Sequence, residues 1–454
     1  MLKVINPASG EIIKELKADT ATTVVEKFNK AKIAQKDWAA TPLNARIKAI
    51  RQFRERLEKD KTELAQILTS EVGKPLKQSI NEVNGTLGRI DFFLDKVASA
   101  LQGEAVFKDG SMDEVIHHEP LGVIANISAW NYPYFVGSNV FIPALLTGNV
   151  VLYKPSEFSS LTGLAITERL HQSGIPTDAF QILIGEGVIG AELLKQPING
   201  VFFTGSYGTG KKIAETVAGR MIKIQLELGG KDPSYVCEDA DVASAVDSLS
   251  DGAFYNTGQS CCSVERIYVH AKIYDTFVDK FASAVQGFKV GDPTSDDTYI
   301  GPLTREAQIQ TLERQVQDAK AKGAKLLCGG ERLKRKGYYF APTVFSNVNH
   351  TMELMREESF GPIIGIQKVK DDQEALSLMN DTAYGLTAGV YTPDRERAQK
   401  ILAQVNAGSV YWNCCDRVSP RLPWSGRGHS GIGTTLSTYG IQTFLQPKAW
   451  HLRG

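Results

Sequence analysis

The chain has 454 residues, of which 42% are hydrophobic and 22% are charged, as in soluble globular enzymes generally. Its 51 lysine and arginine residues balance 51 aspartate and glutamate residues, which argues against nucleic-acid or membrane partners. No apolar run approaches the ~18 residues of a membrane span, and the opening MLKVINPASG lacks the apolar core of a signal peptide. We therefore expect a cytoplasmic enzyme, with roughly three domains for this length.

Two helices are the first predicted elements. Asp19 is the expected N-cap of the first helix. Apolar residues recur near helical spacing in both segments. They are Val24, Phe28, Ala31 and Trp38 in the first helix, and Ile47, Ile50, Phe53 and Leu57 in the second.

Short apolar runs then alternate with helical patterns, which begin after Ser160, Val188 and Gly210. The predicted strands are 123–127, 150–153, 182–184 and 201–203. This alternation is typical of a doubly wound parallel sheet, in which ligands bind at the carboxyl ends of the strands.

A second α/β alternation follows Gly230. It consists of a strand at 267–270, helices at 274–287 and 306–322, and a strand at 363–369. Two such sheets predict two lobes with a cleft between them. No internal repeat or low-complexity linker is visible.

Six cysteines are too few for a disulfide scaffold in so long a chain. The pairs at 261–262 and 414–415 lack the C-x-x-C spacing of zinc sites, so no metal is expected. Cys237 and Cys328 lie in apolar runs and are predicted to be core residues.

A glycine-rich turn follows the predicted strand at 201–203. Its glycines are Gly205, Gly208 and Gly210, and a helical pattern comes next. A strand, a glycine turn and a helix together offer backbone N–H groups and a positive helix end to phosphate. The spacing is not G-x-G-x-x-G, and any tight strand-to-helix turn can be rich in glycine.

The segment ELGGK at 227–231 follows an alternating run that is typical of a strand end. This places the Glu227 carboxylate at a sheet edge beside two glycines, where a ligand can approach and a base can remove a proton. The alternative is a surface glutamate before a turn.

Cys261 follows the flexible turn at 256–259 and has small polar neighbours rather than apolar ones. A thiol there can meet a substrate as thiolate if the fold lowers its pKa. The alternative is an inert structural cysteine.

These three motifs, in this order, resemble the aldehyde dehydrogenase superfamily, and the resemblance covers nearly the whole chain. Further matching motifs are INPASGE at 5–11, AWNYP at 129–133, YKPSE at 153–157, EESFGP at 357–362, PWSG at 423–426 and SGIG at 430–433. The sequence departs from the common family pattern at Gly208, Ser359 and Trp424, which puts pocket shape and cofactor fit in question but not the reaction class.

The resemblance implies an α/β fold with a doubly wound cofactor domain, an α/β catalytic domain and a small β oligomerisation arm. The expected NAD-binding domain comprises 1–101 and 120–229, the catalytic domain 230–430, and the arm 102–119 and 440–454. The expected assembly is a homodimer or a homotetramer.

For the chemistry, the resemblance implies that Cys261 attacks an aldehyde, giving a thiohemiacetal and then a thioester. Asn131 and the Cys261 backbone N–H stabilise the oxyanion, and Glu227 is the base for the hydrolytic water. From the residues alone, the better interpretation of Asn131 is a loop asparagine that favours a turn.

The resemblance also implies NAD as cofactor, with NADP as the alternative. Lys154 and Glu157 are expected at the adenosine ribose, and Glu358 at the nicotinamide ribose. The full expected cofactor set is Trp130, Lys154, Ser156, Glu157, Gly205, Ser206, Gly229, Glu358 and Phe360.

Three other functions stay open at this point: a semialdehyde dehydrogenase using NADP, a CoA-acylating aldehyde dehydrogenase, and a protein that kept the fold without turnover. For the substrate, apolar walls favour an aliphatic or aromatic aldehyde, whereas Arg417 or Arg421 would favour a semialdehyde carboxylate. The expected apolar wall residues are Tyr132, Phe135, Trp412 and Trp424.

Overall fold

The computed structural model describes residues 1–454 and contains fourteen α-helices and eighteen strands. The helices are α1 (Ala21–Ala40), α2 (Leu43–Lys59), α3 (Lys61–Val72), α4 (Leu76–Leu101), α5 (Pro133–Leu146), α6 (Ser160–Gln172), α7 (Gly187–Lys195), α8 (Tyr207–Val217), α9 (Val242–Phe254), α10 (Tyr274–Gln286), α11 (Glu306–Ala321), α12 (Asp372–Asn380), α13 (Arg395–Leu402) and α14 (Ser437–Gln442). None of them is long and apolar enough to cross a membrane.

The strands form four sheets. They are β1 (Leu2–Ile5), β2 (Ile12–Leu16), β3 (Glu104–Lys108), β4 (Met112–Pro120), β5 (Val123–Ile127), β6 (Val150–Lys154), β7 (Phe180–Ile182), β8 (Gly200–Thr204), β9 (Lys223–Glu227), β10 (Asp232–Val236), β11 (Val264–His270), β12 (Lys325–Cys328), β13 (Thr343–Ser346), β14 (Ile363–Val369), β15 (Thr387–Tyr391), β16 (Ser409–Trp412), β17 (Gly431–Ile432) and β18 (Leu445–Arg453).

The first two predicted helices are confirmed, and their apolar positions face the core. The N-cap prediction is wrong by one residue, because the Thr20 hydroxyl, not Asp19, accepts from the Thr23 backbone N–H. Asp19 instead accepts from the Thr23 hydroxyl and from the backbone N–H of Ile184, both at 2.7 Å. It therefore ties the start of α1 to the loop after β7.

A six-stranded sheet has the order β17-β9-β8-β5-β6-β7, and all its pairs are parallel except β17 with β9. Strands β5, β6 and β8 are buried along their whole length, as is typical of parallel strands covered on both faces. The predicted strand at 182–184 lies two residues earlier, at β7, because Ile184 packs instead with Leu2, Val4 and Leu16.

A seven-stranded sheet has the order β12-β13-β14-β11-β10-β15-β16 and is parallel apart from the β12–β13 pair. It separates two apolar clusters of 25 and 20 buried residues. The predicted strand at 363–369 coincides with β14. The α/β fold class with doubly wound parallel sheets is confirmed.

A three-stranded antiparallel sheet, β18-β4-β3, stands apart from the other two. Strand β18 pairs with β4 along its length, from Leu445 opposite Pro120 to Arg453 opposite Met112. Strand β17 lies just beyond the expected end of the catalytic domain at residue 430, yet pairs with β9 of the six-stranded sheet. The division of the chain into domains stays a prediction.

Candidate active site

The turn before Cys261 has an unusual backbone. Asn256, Thr257 and Gly258 are consecutive residues with positive φ angles of 53°, 59° and 71°. A Cβ atom at Gly258 would lie 2.2 Å from the carbonyl oxygen of Gly361, so only glycine fits there. The Asn256 side chain donates to the carbonyl oxygens of Asn131 and Gln259, at 3.2 and 3.0 Å. These contacts fix the backbone that leads to Cys261.

The adjacent thiols of Cys261 and Cys262 have different surroundings. Cys261 is half-buried and lines a cavity, whereas Cys262 is only 4% exposed. The Cys262 thiol donates to Asp416 Oδ1 at 2.9 Å. Its hydrogen bond with Cys261 and its burial raise the pKa of Cys262 well above the ordinary value. Of the two, Cys261 is therefore the thiol that a ligand in the cavity can reach.

Asn131 lies in the loop between β5 and α5 and is buried. Its Nδ2 atom donates to the carbonyl oxygen of Gln259 at 3.1 Å, two residues before Cys261. An amide nitrogen carries two N–H donors, so one of them stays free for a ligand. The fold thus holds an uncharged donor next to the thiol.

Glu227 is the last residue of β9 and is 6% exposed. The hydroxyl of Thr435, which follows β17, donates to Glu227 Oε1. Burial raises the pKa of Glu227 above the ordinary carboxylate value, while the Thr435 hydrogen bond opposes the rise. The buried carboxylate lines the same cavity as Cys261.

That cavity has a volume of about 580 Å³ and lies at the carboxyl ends of the β5, β6, β8 and β9 strands. All twelve residues proposed from the sequence as catalytic or cofactor-binding line it. They are Trp130, Asn131, Lys154, Ser156, Glu157, Gly205, Ser206, Glu227, Gly229, Cys261, Glu358 and Phe360. Their individual roles stay predictions.

Lys154 and Glu157 stand at one end of the cavity. The Lys154 Nζ atom donates to the carbonyl oxygen of Pro155 at 3.0 Å and lies 3.8 Å from Glu157 Oε2. Ser156 donates to the same carboxylate oxygen at 3.3 Å. The pair offers a carboxylate acceptor and a neighbouring ammonium donor, which suits vicinal hydroxyl groups.

The positive end of α8 points into the cavity. Ser206 is the N-cap residue, and its side chain does not cap the helix but donates to the Thr209 hydroxyl at 3.1 Å. The N–H groups of the first turn are therefore free to bind a phosphate. Gly205 leaves little room for a side chain, since a Cβ atom there would lie 2.4 Å from the Phe203 ring.

Glu358 lies at the Cys261 end of the cavity, beside the glycine pair at 229–230. The Gly230 N–H donates to Glu358 Oε1 at 3.0 Å, and a Cβ atom at Gly229 would lie 2.1 Å from that oxygen. Burial and the nearby Glu265 carboxylate raise the pKa of Glu358 to about 8. Phe360 packs edge to face against Trp130, with ring centroids 5.5 Å apart.

A sequence model described as the aldehyde dehydrogenase family matches residues 1–450. The chain belongs to the aldehyde dehydrogenase family. It is therefore an oxidoreductase that acts on an aldehyde with a nicotinamide cofactor. The lining of the cavity fits such a cofactor, because the Glu157 and Glu358 carboxylates can accept from hydroxyl groups and the first N–H groups of α8 are free to bind a phosphate.

Solved structures agree with this assignment. A lactaldehyde dehydrogenase from Escherichia coli has 33% sequence identity and a TM-score of 0.96, and the match covers 100% of this chain and 95% of that one. A betaine aldehyde dehydrogenase variant from Staphylococcus aureus, in complex with NAD+ and with a modified cysteine, has 30% identity and a TM-score of 0.96, covering 99% and 94%. An E. coli NADP-dependent enzyme has 30% identity and a TM-score of 0.97, covering 100% and 94%.

The sequence analysis missed a buried ion pair of this aldehyde dehydrogenase, between Lys231 and Glu265. Lys231 Nζ lies 2.5 Å from Glu265 Oε2 and also donates to the Ser359 hydroxyl at 3.0 Å. Glu265 accepts from the backbone N–H groups of Ser359 and Phe360, at 2.8 and 3.1 Å. Ser359, where the sequence departs from the common family pattern, thus belongs to this hydrogen-bond network. No local sequence signal reveals the network.

The six residues that the sequence analysis expected at the substrate have different surroundings. Tyr132 and Phe135 stack with centroids 5.8 Å apart, beside Asn131. Arg417 and Arg421 are exposed. Trp412 is 39% exposed on the edge strand β16 and donates to the carbonyl oxygen of Thr392. Trp424 is buried in the core around the six-stranded sheet. None of these six residues lines the cavity.

Proposed function

We propose that the protein oxidises an aldehyde to the carboxylate with NAD, through a thiohemiacetal and a thioester on Cys261. One observation supports this most strongly. A single cavity brings a reachable thiol, a free amide donor and a buried carboxylate together at the carboxyl ends of a parallel sheet. These are the nucleophile, the oxyanion donor and the base that acyl chemistry on a thiol requires.

In the proposed mechanism, the Cys261 sulfur attacks the aldehyde carbon. The developing oxyanion accepts from Asn131 Nδ2 and from the Cys261 backbone N–H, both held in place before the charge appears. The nicotinamide cofactor, when bound, supplies the acceptor for the hydride that leaves the substrate carbon. Glu358 would hold the nicotinamide ribose of that cofactor, and Lys154 and Glu157 would hold its adenosine ribose.

Glu227 acts on the second half of the reaction. Water at neutral pH is a weak nucleophile, and a carboxylate whose pKa is raised by burial is a stronger base than an ordinary one. Glu227 takes a proton from the water that attacks the thioester, and the Thr435 hydroxyl holds the carboxylate in place. A hydrolytic base in the cavity favours release of a carboxylate over transfer of the acyl group to CoA.

NAD is proposed over NADP because Glu157 accepts from a ribose hydroxyl but repels a phosphate on the same sugar. Lys154 lies 3.8 Å from Glu157 and softens that repulsion, so we expect a preference rather than exclusion. We also propose a homodimer or homotetramer, formed through the β18-β4-β3 sheet. The cytoplasmic location stays a prediction from the sequence.

The test compares wild type with Cys261→Ala and Cys262→Ala, assayed with a panel of aldehydes and both NAD and NADP. Wild type should form a carboxylate without added CoA and show a higher kcat/KM with NAD. Cys261→Ala should abolish turnover while cofactor binding persists, and Cys262→Ala should keep substantial turnover. Activity that survives in Cys261→Ala and disappears in Cys262→Ala would refute the assignment.

A further inference from the structure

Arg305 is the only arginine among the residues that line the cofactor cavity, and the sequence analysis did not single it out. It directly precedes α11, and Gln308 lines the cavity from the same face of that helix. Ile309 of α11 packs in a core cluster beside the seven-stranded sheet, whereas Ile213 of α8 packs in the core around the six-stranded sheet. Arg305 thus reaches the cavity from the lobe that does not carry α8.

Two sets of contacts place Arg305 between the carboxylates proposed to hold the two riboses. A second cavity, of about 240 Å³, shares Glu157 and Arg305 with the cofactor cavity, so the two side chains meet where the cavities join. Arg305 Nη2 also donates to Gln308 Oε1 at 2.9 Å, and Gln308 Nε2 donates to the carbonyl oxygen of Ser359, next to Glu358. In a dinucleotide, the diphosphate lies between the two riboses.

Three carboxylates and three cations line the cavity, so their formal charges cancel. They are Glu157, Glu227, Glu358, Lys154, Lys212 and Arg305. Lys154 already has Glu157 and the Pro155 carbonyl oxygen as neighbours. Lys212 lies in the second turn of α8, beyond the free N–H groups of the first turn. The side-chain partner of Arg305 is the neutral amide of Gln308, so its charge is available to an anionic ligand.

The place of Arg305 in α11 gives no structural reason for a positive charge. It is the N-cap residue, yet its side chain makes no capping hydrogen bond, and a cation at this end opposes the helix dipole. Arg305 contacts solvent, but desolvation by the surrounding protein lowers its pKa, and the carboxylates of Glu358 and Glu157 oppose that shift. An anion bound beside Arg305 would offset both unfavourable effects.

We propose that Arg305 binds the diphosphate of the nicotinamide cofactor from the α11 side of the cavity, opposite the first-turn N–H groups of α8. The inference rests on the proposed function in one respect, since the ribose assignments of Glu157 and Glu358 place the diphosphate between them. A guanidinium presents parallel N–H donors to phosphate oxygens. Gln308 engages Nη2 and leaves the other nitrogens of the fork free for the ligand.

The experiment measures ligand binding rather than turnover. Kd is determined for NADH by fluorescence, for ADP-ribose by calorimetry, and for adenosine by competition with NADH. Arg305→Gln should raise the Kd of NADH and of ADP-ribose about 10-fold, because charge-assisted hydrogen bonds to the diphosphate are lost. The Kd of adenosine, which has no phosphate, should change less than about 2-fold. Arg305→Lys should recover part of the loss, because an ammonium keeps the charge but not the fork.

Thermal unfolding separates a binding role from a structural one. Without ligand, Arg305→Gln should keep at least the Tm of wild type, because the substitution removes a cation from a helix N-terminus. The rise in Tm on adding NADH should be smaller than in wild type. A variant that is destabilised without ligand, and that loses as much affinity for adenosine as for ADP-ribose, would overturn the proposal.

Two lysines of α8 and a second cofactor serve as controls. Lys211 is exposed and does not line the cavity, so Lys211→Gln should leave the Kd of ADP-ribose within about 2-fold of wild type. Lys212→Gln should weaken ADP-ribose less than Arg305→Gln does, and a larger loss would overturn the proposal. So would a loss of NADPH binding alone in Arg305→Gln, because the contact would then be to the 2′-phosphate.

The two proposals fail in different ways. If Arg305→Gln binds ADP-ribose and NADH as tightly as wild type does, the role of Arg305 is refuted and the chemistry on Cys261 is untouched. If wild type binds neither NADH nor NADPH, both proposals are refuted.

Discussion

Cys261 and Cys262 show how strongly the environment decides the chemistry of a side chain. The Cys262 thiol donates to the partly buried Asp416 carboxylate, and the pKa of Cys262 is raised, so the thiol stays protonated. Cys261 faces the cavity and the amide of Asn131 lies near it. A thiolate is the reactive form of cysteine, so only the surroundings of Cys261 suit a nucleophile.

At the same scale, Glu227→Gln should slow thioester hydrolysis more than thioester formation. A cysteine is intrinsically the stronger nucleophile, whereas water needs a base. Rapid mixing with aldehyde and NAD should therefore show a retained NADH burst followed by a depressed steady state. If burst and steady state fall together, Glu227 serves the thiol rather than the water.

The pH profile gives a second measurement on the same variant. Burial raises the pKa of Glu227, so its base form accumulates only as pH rises through that higher value. The steady-state rate of wild type should therefore increase with pH, and that increase should be absent in Glu227→Gln. An unchanged rising limb in the variant would assign the titration to another group.

At the scale of elements, the turn between α9 and β11 sets the position of the nucleophile. Three consecutive left-handed residues are costly, and hydrogen bonds from Asn256 offset part of that cost. Gly258 has no space for a Cβ atom because the Gly361 carbonyl oxygen lies there. The strain is thus confined to the segment that carries Cys261.

Gly258→Ala should accordingly lower the free energy of unfolding by at least about 2 kcal/mol and reduce kcat/KM strongly, since both the φ angle and the close contact oppose a side chain. The matched control is Gly88→Ala in α4, where a Cβ atom meets nothing within 4 Å. That change should stabilise the protein by about 0.5–1 kcal/mol. Chemical denaturation and steady-state assays check both variants, and a Gly258→Ala enzyme that is as stable and active as wild type would contradict this account.

At the scale of the whole molecule, the β18-β4-β3 sheet lacks a partner within the chain. Strand β3 is exposed at every position, and β18 is exposed at every position but its first. Val106, Phe107, Trp450 and Leu452 are apolar side chains with exposed fractions of 40% to 59%. Exposed apolar residues clustered on one small sheet indicate a contact surface.

Trp450→Glu combined with Leu452→Glu should therefore reduce the size of the particle in solution, because charges replace apolar contacts on one face of β18. Light scattering coupled to size-exclusion chromatography measures this directly. Met221→Glu serves as the control, since Met221 is 91% exposed and lies outside this sheet. A wild type that is monomeric, or an assembly unaffected by the double substitution, would rule out the proposed role of the arm.

The sequence by itself determined the family, the parallel α/β sheets and the residues that line the cavity. Buried parallel strands such as β6 and β8 contain short apolar runs, at 150–153 and 201–203, that local pattern detects. Only the tertiary structure decided which groups meet across long separations. Lys231, Glu265 and Ser359 lie far apart in the chain, and nothing local marks them as partners. Likewise, the difference between Cys261 and Cys262 depends on packing, because burial and pairing are properties of the folded surroundings.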